Sequence, residues 1–261
     1  MLTFPNISPT IFSIGSLEIR WYGMLYIVSF IIGYIFLRKT LPLRNVSLKK
    51  DQYENLLFNI MLGVIIGGRA GFVLFYNIGY YFSNPLHIFA VWQGGMSFHG
   101  GALGAVVAVL LFSRKYKYNF YQISDPAMPF VAIGLGLGRL GNFINAELYG
   151  RVTNLPFGMV FPTDPQKLSR HPSQLYELFS EGVILALIST LLLKKTKIKG
   201  LVFWVFIGLY GVFRFLIEFV REPDEHLGFI FSFFTMGQIL SSFMIVSAVV
   251  AVFILLLKNE S

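Results

Sequence analysis

Arg139, Asn142, Asn145 and Glu147 fall within nine residues of the stretch GLGLGRLGNFINAELYGR (Gly134–Arg151), whose first half is otherwise as apolar as a membrane helix. An arginine near the centre of a bilayer costs at least about 2.5–3.5 kcal/mol on insertion scales, so intramembrane arginines face the protein interior and serve function. At about 100° per residue, Arg139 and Asn142 share a helical face and Asn145 follows three positions on. Glu147 would leave that face if the helix continued. The helix is therefore expected to end near Asn145 and to turn Glu147 back toward the others. A guanidinium fork matches two oxygens of a phosphate or carboxylate, amides orient hydroxyls, and a carboxylate can accept a proton. A helix interface held by polar side chains would explain a lone asparagine; four such groups together favour a site.

A second constellation lies in YGVFRFLIEFVREPD (Tyr210–Asp224), where Arg214, Glu218 and Arg221 stand at i, i+4 and i+7. They share one helical face, either as an ion-pair ladder or as an anion site. One carboxylate between two guanidiniums leaves an excess positive charge, which favours an anionic ligand. His99, in WQGGMSFHGGALG, is flanked by Gly95, Gly100 and Gly101. A general base and a hydrogen-bonded helix contact both remain open for it. Ser97 and His99 face apart in a helix, and GMSFH lacks the second glycine of a nucleophile elbow, which argues against a serine protease. Arg69, amid Gly63, Gly67 and Gly71, reads equally as a packing residue or a ligand. The segment RHPSQLYE (Arg170–Glu177) mixes helix-entry capping with possible site lining, and Trp21 and Tyr22 suit an interfacial aromatic belt.

These groups must be positioned by a membrane protein. Hydrophobic residues make up 55% of 261 positions and charged residues 13%, about half the charge of an ordinary soluble domain. Seven apolar stretches approach the roughly 20 residues a spanning helix needs: 17–37, 56–76, 94–112, 126–146, 175–193, 200–220 and 236–257. The fold class expected is all-α and polytopic, one membrane-embedded domain over 1–261, with an irregular external cap at about 147–174 containing Pro156, Pro162, Pro165 and Pro172. Gly134 and Gly138, four apart, predict close approach of another helix. Thirteen of the 21 Lys and Arg fall after spans one, three, five and seven, five fall on the opposite side, and Arg69, Arg139 and Arg214 lie inside spans. Positive residues stay cytoplasmic, so the N-terminus is expected outside and the C-terminus inside. No cleavable signal sequence is recognisable before span one.

The net charge of +8 is mostly this topology signal, and nothing points to nucleic acid. With no cysteine and four scattered histidines, His87, His99, His171 and His226, neither a metal nor a thiol nucleophile of the chain's own is expected. An aspartyl protease is disfavoured because Asp51, Asp125, Asp164 and Asp224 are read as lying outside spans or at their ends. A lipid or anion transporter would share the arginines, but the two charged spans show no matching repeat.

The blocks GRLGNFINAELYG (Gly138–Gly150), HGG after the entry to span three, HPSQLYE and YGxxRFxxEFxR together resemble the prolipoprotein diacylglyceryl transferases, in the same order and over essentially the whole chain. That resemblance implies transfer of the sn-1,2-diacylglyceryl group of phosphatidylglycerol to the lipobox cysteine thiol of a preprolipoprotein signal peptide. A thioether forms and glycerol 1-phosphate leaves, at the outer face of the bacterial cytoplasmic membrane and without a cofactor. Arg139 and Arg214 would then clamp the phosphate, and His99 would deprotonate the thiol, with Glu147 and Glu218 as rivals. Asn142 and Asn145 would orient the head group. Gly150, Arg221, Arg69, Tyr22, Tyr176 and Glu177 complete the expected substrate-binding set.

Overall fold

A computed structural model of the chain describes residues 2–15, 17–76, 78–222, 229–230 and 234–260; Asp224 and His226 lie outside them. The chain divides into two compact units, one comprising Met1–Thr40 with Asp125–Ser261 and the other Leu41–Ser124. Strands β1 (Leu2–Thr3), β2 (Thr10–Ile14) and β3 (Leu17–Arg20) precede helix α1 (Trp21–Thr40). The first span was expected from residue 17, but residues 17–20 pair with β2 as a hairpin, Ser13 opposite Glu18 and Ile14 opposite Leu17. Its Glu18 and Arg20, 2.7 Å apart, would be costly to carry into the apolar helix.

In the unit Leu41–Ser124, α2 (Lys50–Tyr76) runs into α3 (Ile78–Ser83), and α4 (Phe98–Tyr116) packs back on α2. The glycines decide this packing. A methyl group at Gly63 would overlap the Gly104 carbonyl, one at Gly67 would overlap the Gly100 carbonyl, and one at Gly71 would lie 2.9 Å from the Gly100 Cα. The two backbones touch along a small-xxx-small stripe, the packing lipid-embedded helices favour. Helix α4 starts later than the expected residue 94 because Gly94 and Gly95 hold φ of 82° and 75°, which a right-handed helix cannot continue. Ser97 then caps it, accepting the Gly100 amide at 3.2 Å.

Helix α5 (Phe120–Ile144) begins six residues before the predicted span. A capping box explains the start: Asn119 Oδ1 accepts the Tyr121 amide at 2.9 Å and Gln122 Oε1 accepts the Asn119 amide at 3.0 Å. Next, α6 (Ser173–Glu177), a π-helical turn Leu178–Ile184 and α7 (Leu185–Lys195) form one span, followed by α8 (Leu201–Ile217) and α9 (Met236–Glu260). Gly208 and Gly211 let α8 press against Ala248 and the Ser241 carbonyl of α9. Asp125, expected at a span end, lies inside α5, fully buried. It caps α8 from another helix, accepting the amides of Gly200 at 2.8 Å and Phe203 at 3.0 Å.

The segment after α5 is less irregular than its prolines suggest. Strand β4 (Met159–Val160) pairs antiparallel with β5 (Ser169–Arg170) and parallel with β1. Phe143, Ala146, Met159 and Phe161 form a small core beneath it, with Phe4 and Tyr149 packed alongside. Among the described residues, five helical stretches, Trp21–Arg44, Lys50–Phe75, Phe120–Ile144, Ser173–Lys195 and Met236–Asn259, are long and apolar enough to cross a membrane; Leu201–Ile217 is a shorter apolar helix.

Candidate active site

Helix α5 ends at Ile144, and the chain turns sharply through Ala146 and Leu148, whose φ angles are 54° and 58°. Left-handed backbone at residues other than glycine costs about 1–3 kcal/mol and persists only where its surroundings enforce it. The enforcement is visible in three successive carbonyls. Thr163 Oγ1 donates to the Ala146 oxygen, Gln174 Nε2 to the Glu147 oxygen at 2.6 Å, and Ser173 Oγ to the Leu148 oxygen at 3.1 Å. The turn folds the Glu147 side chain back as expected, so that its Oε1 accepts from Asn142 Nδ2 at 2.8 Å and Asn145 Nδ2 at 3.2 Å. Asn145 Oδ1 is buried with no hydrogen-bond donor among the described residues.

One turn earlier on α5, Arg139 meets a network the sequence did not reveal in full. Its Nε lies 3.3 Å from Glu177 Oε2 and its Nη2 3.7 Å from Glu181 Oε2. From α8, Arg214 Nη1 lies 2.8 Å from Glu177 Oε1 and its Nη2 2.8 Å from Glu218 Oε2. Arg221 Nη1 reaches Glu177 Oε1 at 3.6 Å. Three guanidiniums and three carboxylates are thus gathered, and the excess positive charge expected along α8 is balanced by carboxylates from the Ser173–Lys195 span. The exposure is asymmetric. Glu177 and Glu181 side chains are 0% exposed, while those of Arg139 and Arg214 retain 18% and 14%. The carboxylates of Glu177 and Glu181 are fully enclosed, and the exposed part of the network belongs to the arginine side chains.

Glu181 is absent from the expected site, although a carboxylate one turn beyond Glu177 in an apolar span is a recognisable signal. Local packing explains its position. Gly136, rather than the anticipated Gly134 or Gly138, makes the close approach: a methyl there would lie 2.9 Å from the Gly182 Cα, whereas nothing lies within 4 Å of one at Gly138. The contact falls on the π-helical turn, a feature frequent at functional sites. Gly141 is filled by the Tyr22 ring, and the Tyr22 hydroxyl lies 3.2 Å from that of Tyr26. Tyr22 therefore packs on α5, which an interfacial belt alone would not require.

Other expected residues have different surroundings. Gly150 is buried where a methyl would overlap the Val220 carbonyl and lie 2.8 Å from the His171 Cβ, so its lack of a side chain serves backbone packing rather than open ligand space. The Tyr176 hydroxyl lies 3.2 Å from His171 Nδ1, and burial pushes the His171 imidazole below its ordinary pKa. Arg170 chelates Asp164 at 2.9 and 3.2 Å, reaches Glu222 at 3.1 Å and covers the Tyr149 ring. This hydrogen-bonded guanidinium holds the Asp164 carboxyl below its usual pKa.

In the unit Leu41–Ser124, Arg69 is buried and commits its fork to main-chain carbonyls: His87 at 2.5 Å, Ile88 at 2.8 Å, Gly94 at 2.6 Å and Gly95 at 3.1 Å. Its guanidinium also covers Tyr81. Arg69 thereby organises the loop that leads into α4, an arrangement in keeping with the packing reading. His99 is exposed in the first turn of α4.

Comparison with known proteins adds a separate line of argument. Residues 9–254 match the family model described as prolipoprotein diacylglyceryl transferase. A Geobacter sulfurreducens protein is 50% identical over 240 residues, 92% of each chain. One from Photobacterium profundum is 48% identical over 94% of this chain and 92% of its own, and one from Rickettsia rickettsii is 50% identical over 92% and 93%. All three bear the name phosphatidylglycerol–prolipoprotein diacylglyceryl transferase. With a family-model match over residues 9–254 and relatives about half identical over nearly its full length, this chain belongs to the prolipoprotein diacylglyceryl transferase family.

Proposed function

We propose that this protein transfers the diacylglyceryl group of phosphatidylglycerol to the lipobox cysteine thiol of preprolipoproteins, the first step of lipoprotein maturation. The observation that carries the reading is the asymmetric ion network, with Arg139 and Arg214 partly exposed and the carboxylates of Glu177 and Glu181 fully enclosed. A phosphodiester placed there takes over from Glu177 as the shared partner of both forks and from Glu181 on Arg139. In a low-dielectric site such fixed donors stabilise the charge that grows on the leaving phosphate. The thiol sulfur attacks the glycerol carbon that bears the phosphate, the carbon–oxygen bond breaks, and glycerol 1-phosphate departs with the electron pair. Asn145 Oδ1 offers an acceptor for a head-group hydroxyl. Asn142 and Glu147 hold the amide that presents it, while Tyr22 and Tyr176 line the approach.

The thiol proton must go to a base, because the free thiol, with a pKa of about 8.5, is mostly protonated at neutral pH. Glu147 is engaged by two amides and Glu218 by Arg214. The family resemblance gives the proton to His99, with Glu147 and Glu218 as its rivals. Arg221 and Gly150 support the site from behind, and Arg69 supports the loop before His99.

In this reading the chain is one functional membrane domain, with α4 and α8 adding two crossings to the five longest helices. The Lys and Arg bias sets the N-terminus outside and the C-terminus in the cytoplasm. The site faces the outer side of the bacterial cytoplasmic membrane. The test is direct: purified protein, phosphatidylglycerol labelled in its acyl chains, and a lipobox peptide with Cys or Ser at the acceptor position. Label is expected on the Cys peptide alone, without ATP or metal. Transbilayer movement of label with no peptide adduct would favour transport and overturn the proposal.

A further inference from the structure

Glu181 occupies an unusual position in the network. It is fully buried, and neither carboxylate oxygen receives a hydrogen bond from the described residues. Among the described residues its one ion pair is to Arg139 Nη2 at 3.7 Å. Glu177, by contrast, is held by Arg139, Arg214 and Arg221, and Glu218 is held by Arg214 at 2.8 Å. The groups that face Glu181 are Arg139 on α5, Tyr210, Arg214 and Arg221 from α8 and the segment after it, and Glu177 on its own span. With all six charged groups ionised the empty site is neutral. A phosphodiester brings one further negative charge, and it does so by taking over the guanidinium on which Glu181 depends. An uncompensated charge in such a setting costs several kcal/mol.

We infer that binding of a phosphodiester lipid to Arg139 and Arg214 is coupled to uptake of one proton by Glu181, which keeps the occupied site neutral. This rests on the proposed placement of the phosphate at those two arginines. Glu181 is thereby a positioning residue. As an anion it holds Arg139 in the empty site; as a neutral acid it releases that fork to the lipid without repelling it. The proton comes from solvent on binding, so no bond in the lipid or thiol changes at this step.

Isothermal titration of short-chain phosphatidylglycerol into the full-length protein, in buffers of different ionisation enthalpy, counts protons directly. The wild type is expected to take up about one proton per lipid, and its Kd is expected to weaken about tenfold per pH unit where the empty site holds Glu181 ionised. Glu181→Gln is expected to bind with no proton uptake and no such pH dependence. Diacylglycerol, which lacks the phosphate, should bind without proton uptake. Should Glu181→Gln fail to fold, the wild-type counts with the two lipids decide alone. Binding of phosphatidylglycerol without proton uptake, while Arg139→Lys still weakens it, would overturn the coupling and leave the phosphate site standing. Uptake undiminished in Glu181→Gln would overturn the assignment to Glu181. Equal binding of both lipids, unaffected by Arg139→Lys, would overturn the phosphate site and the coupling together.

Discussion

Replacing Glu177 with glutamine tests whether one buried carboxylate holds three arginines in place. Its oxygens lie 3.3, 2.8 and 3.6 Å from Arg139, Arg214 and Arg221. At charge separations of about 4 Å and an effective dielectric of about 20, each pair is worth about 4 kcal/mol before desolvation. Losing one partner of a buried pair costs about 3–5 kcal/mol net, because the remaining charges stay buried. Glu177→Gln should therefore lower the thermal midpoint of the detergent-solubilised protein by about 6–20 °C. Removal of this competitor also frees the Arg139 and Arg214 forks, so phosphatidylglycerol should bind more tightly while turnover falls through loss of fork orientation. Paired measurements of thermal unfolding and lipid affinity check both halves. An unchanged midpoint would refute the claim that Glu177 organises the network, and a weakened lipid affinity in folded protein would refute the competition.

Arg139→Lys and Arg214→Lys should fold yet lose most transferase turnover, since an ammonium cannot reproduce a bidentate fork; turnover per folded protein, with a zwitterionic lipid as competing donor, is the measurement. His99→Gln should slow transfer by about 10²-fold or more at neutral pH, with a loss that shrinks as pH approaches the thiol's own pKa; a pH-independent loss would make it a positioning residue. Gly136→Ala should destabilise by about 1–3 kcal/mol through its contact with Gly182, and Gly138→Ala should be close to neutral; thermal midpoints of the two variants compare them. Because Arg170 lowers the Asp164 pKa, that pair's contribution is complete above the unfolded aspartate value near 3.8 and is lost as pH falls through the folded one. Protection factors for hydrogen exchange in residues 153–170, corrected for the intrinsic pH dependence, should fall on acidification in the wild type and lose that dependence in Asp164→Asn.

What the amino-acid order determined by itself was whatever depends on solvent and on local period. A chain with apolar runs of about 20 residues is helical in a bilayer, because a helix satisfies the backbone of each such run within the run itself. Arginines inside such helices had to be partnered, and Asn142, Asn145 and Glu147 converge because their spacing follows the helix and then its end. The fold decided how those charges are balanced. Glu177 and Glu181 come from a span more than thirty residues from Arg139 in sequence, and no periodicity within α8 could announce that its excess positive charge would be neutralised from there. The same holds for glycine. Spacing proposed Gly134 and Gly138, but the contact is made by Gly136, since which face of α5 meets Gly182 depends on how two helices pack. Arg69 could be ligand or scaffold by its sequence setting, and only the folded loop supplied the carbonyls that occupy its fork. Buried charge has to be compensated, but the compensating group can come from anywhere in the chain that folding brings within a few ångströms.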